Sequence, residues 1–330
     1  MNRQPAISVV VPTFRRPALL MRCLRALQAQ QLPVGEDFEL LVVDDGQCDL
    51  TCDHVSAMAQ RWPALRYLRP PAPRAGCGPA LARNHGWRTA RAPVIAFTDD
   101  DTVPEAGWLA AGLAALRGDP SLAAVAGKVV VPLSPGRPTD HEKMTQGLQH
   151  ARFVTANAFV RRAALEDVGG FDERFERAWR EDSDLHFRLE QEAGPVGRCD
   201  AAVVLHPVRP ESWGVSLRQQ RNVFFDALLY RKHRQRYRIE LRAVPPWHYY
   251  GIVLLTPLAL VLALLGQRAA AALAAMFALA LVLAFALRRL RDTALTPGHV
   301  LEMLSTSLLI PFLSVYWRVR GALHFKVWFV

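Results

Sequence analysis

Two stretches of this chain run without a charge for about the thickness of a lipid bilayer. Tyr249 to Gly266 and Ala269 to Leu287 are separated only by Gln267 and Arg268. A hydrocarbon core of roughly 30 Å takes about 20 helical residues, so each stretch is about long enough to cross it. Neither shows the polar face that a helix on the surface of a soluble domain needs. A buried helical hairpin is the other structure open to such a composition. The pair predicts a transmembrane helical hairpin turning at Gly266-Gln267-Arg268. It divides the chain into an N-terminal domain of residues 1–235 and a membrane region of residues 236–330. The apolar residues, 51% of all 330, are correspondingly concentrated after Trp247.

Charge orients the hairpin. The chain carries a net +10, and its densest basic run is Arg231, Lys232, Arg234, Arg236, Arg238 and Arg242, just before the first apolar stretch. Arg288, Arg289 and Arg291 follow the second. Cations flanking spans favour the cytoplasmic side, where they also meet anionic headgroups. The expected location is therefore a cell's inner (cytoplasmic) membrane, multi-pass, with the N-terminal domain in the cytoplasm. A third apolar stretch, Val300 to Trp317, contains Pro311 and leads into Arg318, Arg320, Phe325, Lys326 and Trp328. Crossing the bilayer would carry those cations outside, so an interfacial or re-entrant helix is expected there. With the basic residues beside the spans and no nucleic-acid motif in view, no nucleic-acid partner is expected.

Five scattered cysteines, Cys23, Cys48, Cys52, Cys77 and Cys199, do not make a disulfide framework and suit a reducing compartment. Cys48, Cys52 and His54 lie close together, but no second ligand pair follows at zinc-site spacing. Ile7 to Val11 is too short for the core of a signal peptide and reads as a buried strand.

Strands and helices alternate through the first half. Ile7–Val11, Phe38–Val43 and Val94–Thr98 are continuous apolar runs, with helical patterns between them, as at Leu19, Leu20, Cys23, Leu24 and Leu27. Runs of this kind belong to a mostly parallel sheet with helices on both faces. Val125–Val131 and Phe153–Val160 read as further strands, and Glu181–Ala193 as a helix. Ligands of such α/β folds bind beyond the carboxyl ends of the strands. Those ends carry Pro12-Thr13, Asp44-Asp45 and Asp99-Asp100-Asp101.

Three groups carry chemistry. Asp99-Asp100-Asp101 after a buried strand suits a hard divalent cation, Mg²⁺ or Mn²⁺, that neutralises a departing diphosphate, though one Asp alone also serves as a helix cap. Glu181-Asp182, with Asp184 behind, offers a general base for a hydroxyl, or simply an acidic first turn that suits the helix dipole. Arg83, on a helix entered from a Gly/Pro loop, can pair with phosphate oxygens or lie exposed. His141 and His206 are possible metal ligands. Trp108, Trp179 and Trp213 can stack on sugar rings or pack in a core.

The order of these elements is more specific than any one of them. Val11-Pro12-Thr13-Phe14, Val42-Val43-Asp44-Asp45-Gly46, Ala82-Arg83-Asn84-His85-Gly86, Thr98-Asp99-Asp100-Asp101, Gly169-Gly170-Phe171-Asp172 and Glu181-Asp182 occur in one series. This series resembles the family 2 glycosyltransferases over roughly residues 6 to 235. The resemblance implies an α/β fold of the GT-A type, with a Rossmann-like, mostly parallel sheet, and a nucleotide-diphosphate sugar as donor. It implies that Thr13, Asp44 and Asp45 hold the base and ribose, that Arg83 faces the diphosphate, and that Asp99 touches ribose or metal. Asp101 is then the main metal ligand, and Asp182, beside Glu181, deprotonates the acceptor hydroxyl with inversion at the sugar carbon. Processive members carry Gln-x-x-Arg-Trp; here Gln219-Gln220-Arg221-Asn222 lacks the Trp. Transfer of one sugar to a membrane-associated, lipid-linked or cell-envelope acceptor is expected. A non-catalytic scaffold keeping the nucleotide-sugar fold and a subunit of a processive polysaccharide synthase are the alternatives.

Overall fold

All seven residues of β1, Ile7–Thr13, are buried, as a strand flanked by others and covered on both faces must be. The computed structural model describes residues 4–71, 75–133 and 135–329. They group into two compact units, Met1–Pro132 with Gln146–Val208, and Leu133–Thr145 with Arg209–Val330.

In the first unit, β1 pairs in parallel with β2 (Phe38–Asp44), and β2 with β3 (Leu65–Leu68). On the other side β1 pairs in parallel with β4 (Val94–Phe97). Among the described residues the sheet continues through β5 (Val103–Pro104), β6 (Ala124–Val130), β7 (Ala158–Arg161) and β8 (Val196–Leu205), in the spatial order β3-β2-β1-β4-β7-β6-β8-β5. The sheet is α/β in kind and parallel over its first half, but mixed overall. β7 runs antiparallel between β4 and β6, and β5 antiparallel to β8. β7 is also shorter than the apolar run from Phe153 predicts. A turn closed by the Asn157 amide on the Val154 carbonyl takes up the first residues of that run.

Alternation along the strands splits the core in two. Val9 and Val11 of β1 face helices α1 (Pro17–Gln28), α2 (Asp49–Ala59) and α4 (Trp108–Gly118), burying Leu20, Leu24, Leu27 and Val55. Val10 faces the opposite layer, built from α3 (Pro79–Thr89), α6 (Arg162–Asp167) and α7 (Glu181–Arg188). Trp108 lies fully within the first layer and donates its indole N–H to Asn157 at 2.8 Å, so it packs rather than stacks on a ligand. The helix predicted over Glu181–Ala193 is regular only to Arg188 and ends in a wider π turn over Leu189–Ala193.

The second unit contains α5 (Asp140–Gln146), α8 (Val215–Gln219), α9 (Val223–Lys232), the one-turn α10 (Arg234–Arg236), α11 (Trp247–Leu264), α12 (Arg268–Leu290) and α13 (Pro297–His324). α5 starts from a capping box: Thr139 donates to Glu142, and the Glu142 amide returns a bond to the Thr139 hydroxyl. α11 and α12 form the expected hairpin, closed by Tyr249 and His248 against Phe285 at 5.1 and 5.9 Å. Among the described residues, α11, α12 and α13 are long and apolar enough to cross a membrane. Outward-facing Leu254, Leu260, Leu264 and Phe277 are more than half exposed, an apolar surface of the kind that meets lipid or a protein partner. α13 differs from its expected outline: it is one continuous helix of 28 residues through Pro311.

Candidate active site

The candidate residues lie where the parallel strands end. β4 finishes at Phe97, and the chain turns through Thr98–Thr102 before β5. The Thr102 hydroxyl holds the turn by donating to the Asp99 carbonyl at 2.7 Å, while Thr98 donates to the Ala156 carbonyl at 2.9 Å. Three consecutive carboxylates are thereby fixed in different directions, which is why this stretch is more than a helix cap.

Asp99 points to α3. One terminal nitrogen of Arg83 donates to Asp99 at 2.8 Å, and the other to Glu181 of α7 at 3.0 Å. Arg83 is 3% exposed, so its planar fork joins two carboxylates away from bulk water, where such bonds are strong. Phe171 lies beneath the guanidinium, 5.7 Å from ring centre. Burial alone would raise the Asp99 carboxyl; Arg83 and then His206 outweigh it and hold Asp99 below the ordinary carboxylate range. Glu181 behaves oppositely. Burial and the charge of Asp182 push it up to about 7, against the pull of Arg83. Asp182 is half-buried and accepts from the Ser183 amide at 2.7 Å; burial raises its carboxyl as well.

Asp101 faces the end of β8. His206, held by its amide on the Val130 carbonyl, places Nε2 3.6 Å from an Asp101 oxygen. Asp99, Asp101 and His206 each offer a ligand atom within 4.8 Å of the others. Among the described residues, the buried Nδ1 of His206 and Oε2 of Glu181 have no hydrogen-bond partner, and a buried polar atom is rarely left so. Two carboxylates and an imidazole fit a divalent cation, and the nitrogen suits Mn²⁺ better than Mg²⁺. Of the two histidines considered from sequence, His206 joins the acidic group; His141 belongs to the second unit.

Asp100, the middle carboxylate, accepts from the Thr13 hydroxyl at 2.7 Å and pairs with Arg16 at 3.3 Å. Burial pushes it up to about 6 despite Arg16. Arg16 also reaches Asp101 at 3.6 Å. Arg16 was not singled out from sequence, and Asp100 was noted only as a member of the acidic triplet, without this partner. The available signal was position, since Arg16 lies three residues beyond Thr13 at the end of β1. Asp44 is fully buried and accepts from the Gly46 and Cys48 amides and the Tyr67 hydroxyl. Asp45 accepts from the amides of Cys77 and Gly78, bracing the loop that enters α3. Thr13, Asp44 and Asp45 thus shape the β1 and β2 ends through internal bonds.

Asn84, one residue beyond Arg83, fixes the turn before α7. Its amide donates to the Phe171 carbonyl and accepts from the Phe171 N–H, at 2.9 and 2.8 Å. Gly170 has φ +76°, and a Cβ there would lie 2.5 Å from the Asn84 oxygen, so only glycine suits this close approach. Arg83 and Asn84 together lock the β4 turn and the start of α7 onto the same turn of α3.

Known proteins resemble this chain in sequence and in fold. The chain matches glycosyl transferase family 2 over residues 8–172, half its length, and glycosyl transferase family group 2 over residues 94–287. It is 30% identical over 253 residues to a validoxylamine A glucosyltransferase of Streptomyces hygroscopicus subsp. limoneus, covering 66% of this chain and 52% of that protein. It is 29% identical over 221 residues to a pre-mycofactocin glycosyltransferase of Mycobacterium tuberculosis strain CDC 1551 / Oshkosh, covering 62% of this chain and 43% of that one. The chain spans about half the length of the curated relatives it matches. Among solved structures, a mannosyltransferase of Pyrobaculum calidifontis in complex with GDP-Man and Mn²⁺ superposes with a TM-score of 0.55 at 18% identity, covering 98% of this chain and 88% of that one. At that identity the likeness shows the fold, which is of the GT-A type.

Proposed function

The chain belongs to glycosyl transferase family 2, and on that premise we propose that it moves one sugar from a nucleotide-diphosphate sugar to a hydroxyl of a membrane-associated acceptor. The observation that carries this reading is the Arg83 fork, which ties Asp99 of the acidic turn to Glu181 next to Asp182. A cation-binding group and a candidate base are thereby built into one rigid assembly, as positioning catalysis requires.

In this reading Asp182 accepts the proton of the acceptor hydroxyl. The hydroxyl oxygen forms its bond to the anomeric carbon as the bond to the diphosphate oxygen breaks, and the electron pair leaves with the nucleoside diphosphate. Attack opposite the leaving group inverts the carbon. Asp99, Asp101 and His206 would hold a divalent cation, Mn²⁺ or Mg²⁺, which supplies charge neutralisation for the departing diphosphate. Arg83 keeps the two carboxylates apart and oriented. Thr13, Asp44 and Asp45 form the walls of the nucleotide pocket by holding the strand-end loops. Single transfer is favoured over polymerisation because Gln219-Gln220-Arg221-Asn222 lacks the Trp of processive enzymes.

The hairpin α11–α12 is the reason for placing the acceptor in or on a membrane. The cations before α11 and after α12 favour the cytoplasmic membrane with the N-terminal unit inside. The experiment is nucleotide release by detergent-purified protein offered UDP-, GDP- and dTDP-sugars with Mn²⁺ and a mixed lipid extract. Release from one donor class, dependent on the extract, is expected. Absence of both release and donor binding across the panel would show a non-catalytic scaffold instead.

A further inference from the structure

α13 is long and apolar enough to cross a bilayer, but its contacts within the second unit run in another direction. In the hairpin, the start of α11 and the end of α12 lie together at one end, joined by Tyr249 and His248 on Phe285. α13 touches that end twice. Arg289, near the end of α12, donates to Thr306 at 2.7 Å and to Ser307 at 3.1 Å. Twelve residues further along, Arg318 stacks 4.2 Å from the centre of the Phe329 ring, which packs on Tyr237 ahead of α11 at 5.5 Å, and its charge is also felt at Tyr250 in the first turn of α11.

Twelve helical residues advance about 18 Å. Had α13 run alongside the hairpin, Arg318 would lie that much deeper, opposite the middle of α11. It returns instead to the same end, so α13 crosses the mouth of the hairpin. The rest of the helix agrees. Glu302 accepts from the Gly214 amide at 2.7 Å. Gly321 sits so close to α9 that a Cβ would fall 2.5 Å from the Phe224 carbonyl. Beyond the helix, Phe329 packs on Tyr230 and Tyr237 at 5.1 and 5.5 Å. Among the described residues, no hydrogen bond or ring contact of α13 reaches the distal turn at Gly266.

Its two faces complete the case. Thr306, Ser307, Ser314 and Arg318 are buried against the protein. Leu301, Leu304, Leu308, Phe312, Tyr316, Val319 and Leu323 recur every three or four residues and are exposed, an unpartnered apolar stripe along most of the helix. Exposed cations border its C-terminal end: Arg320 on α13, with Arg234 and Arg238 stacked on Tyr230. Guanidinium groups beside aromatic rings belong at the level of lipid headgroups.

We infer that α13 is an in-plane membrane-surface helix, with its leucine stripe in the acyl boundary and its cationic end among anionic headgroups. The chain then crosses the bilayer twice, and its C-terminus lies on the same side as its N-terminal unit. This inference is independent of the reaction proposed above. The test places a spin-labelled non-natural residue at 301, 312 or 323 in the full chain, reconstituted in nanodiscs containing phosphatidylglycerol. All three positions are exposed, so the label displaces no packing. Immersion depths agreeing within about 5 Å, the range of an interfacial helix, are expected. Epitope tags at the two termini should also be digested together in sealed vesicles of either orientation. A depth spread on the order of 30 Å between 301 and 323, tags on opposite faces, or three labels in water would each overturn it.

Discussion

Asp182 and Glu181 are adjacent carboxylates that burial pushes upward, Glu181 to about 7. A raised value means that the proton stays on to higher pH, so the base form is depleted as pH falls through that region. Turnover should therefore decline on the acid side at a pH above the region near 4 where an unperturbed carboxylate titrates. A profile of kcat against pH between about 3 and 9 checks this, and an acid limb at or below about pH 4 would contradict it. Arg83 makes a second residue-scale prediction. Lysine supplies one point charge and cannot bridge two carboxylates at 2.8 and 3.0 Å. Arg83→Lys should lose most transfer while staying folded. Arg83→Ala leaves Glu181 buried without its cation and should cost about 3–5 kcal/mol in a denaturant melt.

At the scale of elements, the site depends on α3 holding the turn ahead of α7. Gly170→Ala would force a side chain onto the Asn84 oxygen at a positive φ. Such strain costs on the order of 1–3 kcal/mol, and thermal melting should show the loss together with weaker turnover, because α7 carries Asp182. The same elements show what the sequence made legible. β1, β2 and β4 are continuous apolar runs that read as buried strands, and Thr13, Asp44-Asp45 and the Asp99 triplet at their ends point to the candidate site from sequence alone. Arg83, Asp99, Asp101, Glu181 and Asp182 were all visible as motif members. The Arg83 fork that links Asp99 to Glu181 was not, because Arg83 and Glu181 lie 98 residues apart in sequence. Nor was the antiparallel course of β7, since strand direction leaves no trace in an apolar run. The pairing of Asp100 with Arg16 stayed hidden because it depends on how the β4 turn aims each carboxylate. The continuous course of α13 through Pro311 stayed hidden because a proline inside an apolar run reads as a break.

At the scale of the molecule, a glycosyl transferase family 2 unit with a cluster that suits a divalent cation is joined in one chain to a hairpin of helices long and apolar enough to cross a membrane. EDTA should abolish transfer, and Mn²⁺ should restore it at least as well as Mg²⁺, because His206 adds a nitrogen to the two carboxylates. His206→Ala should raise the Mn²⁺ concentration needed for half-activity by about tenfold or more, since losing even an outer partner of a ligand costs about 10–100-fold. Full activity in chelator would remove the cation from the account. The central claim is that Asp182 takes the acceptor proton, and it is tested most directly by Asp182→Asn in the full-length protein in nanodiscs, measuring donor affinity and transfer side by side. The account predicts donor binding within about twofold of wild type and a fall in kcat of about 10²–10⁴-fold, the size of a lost general base. Transfer at the wild-type rate by Asp182→Asn would contradict it.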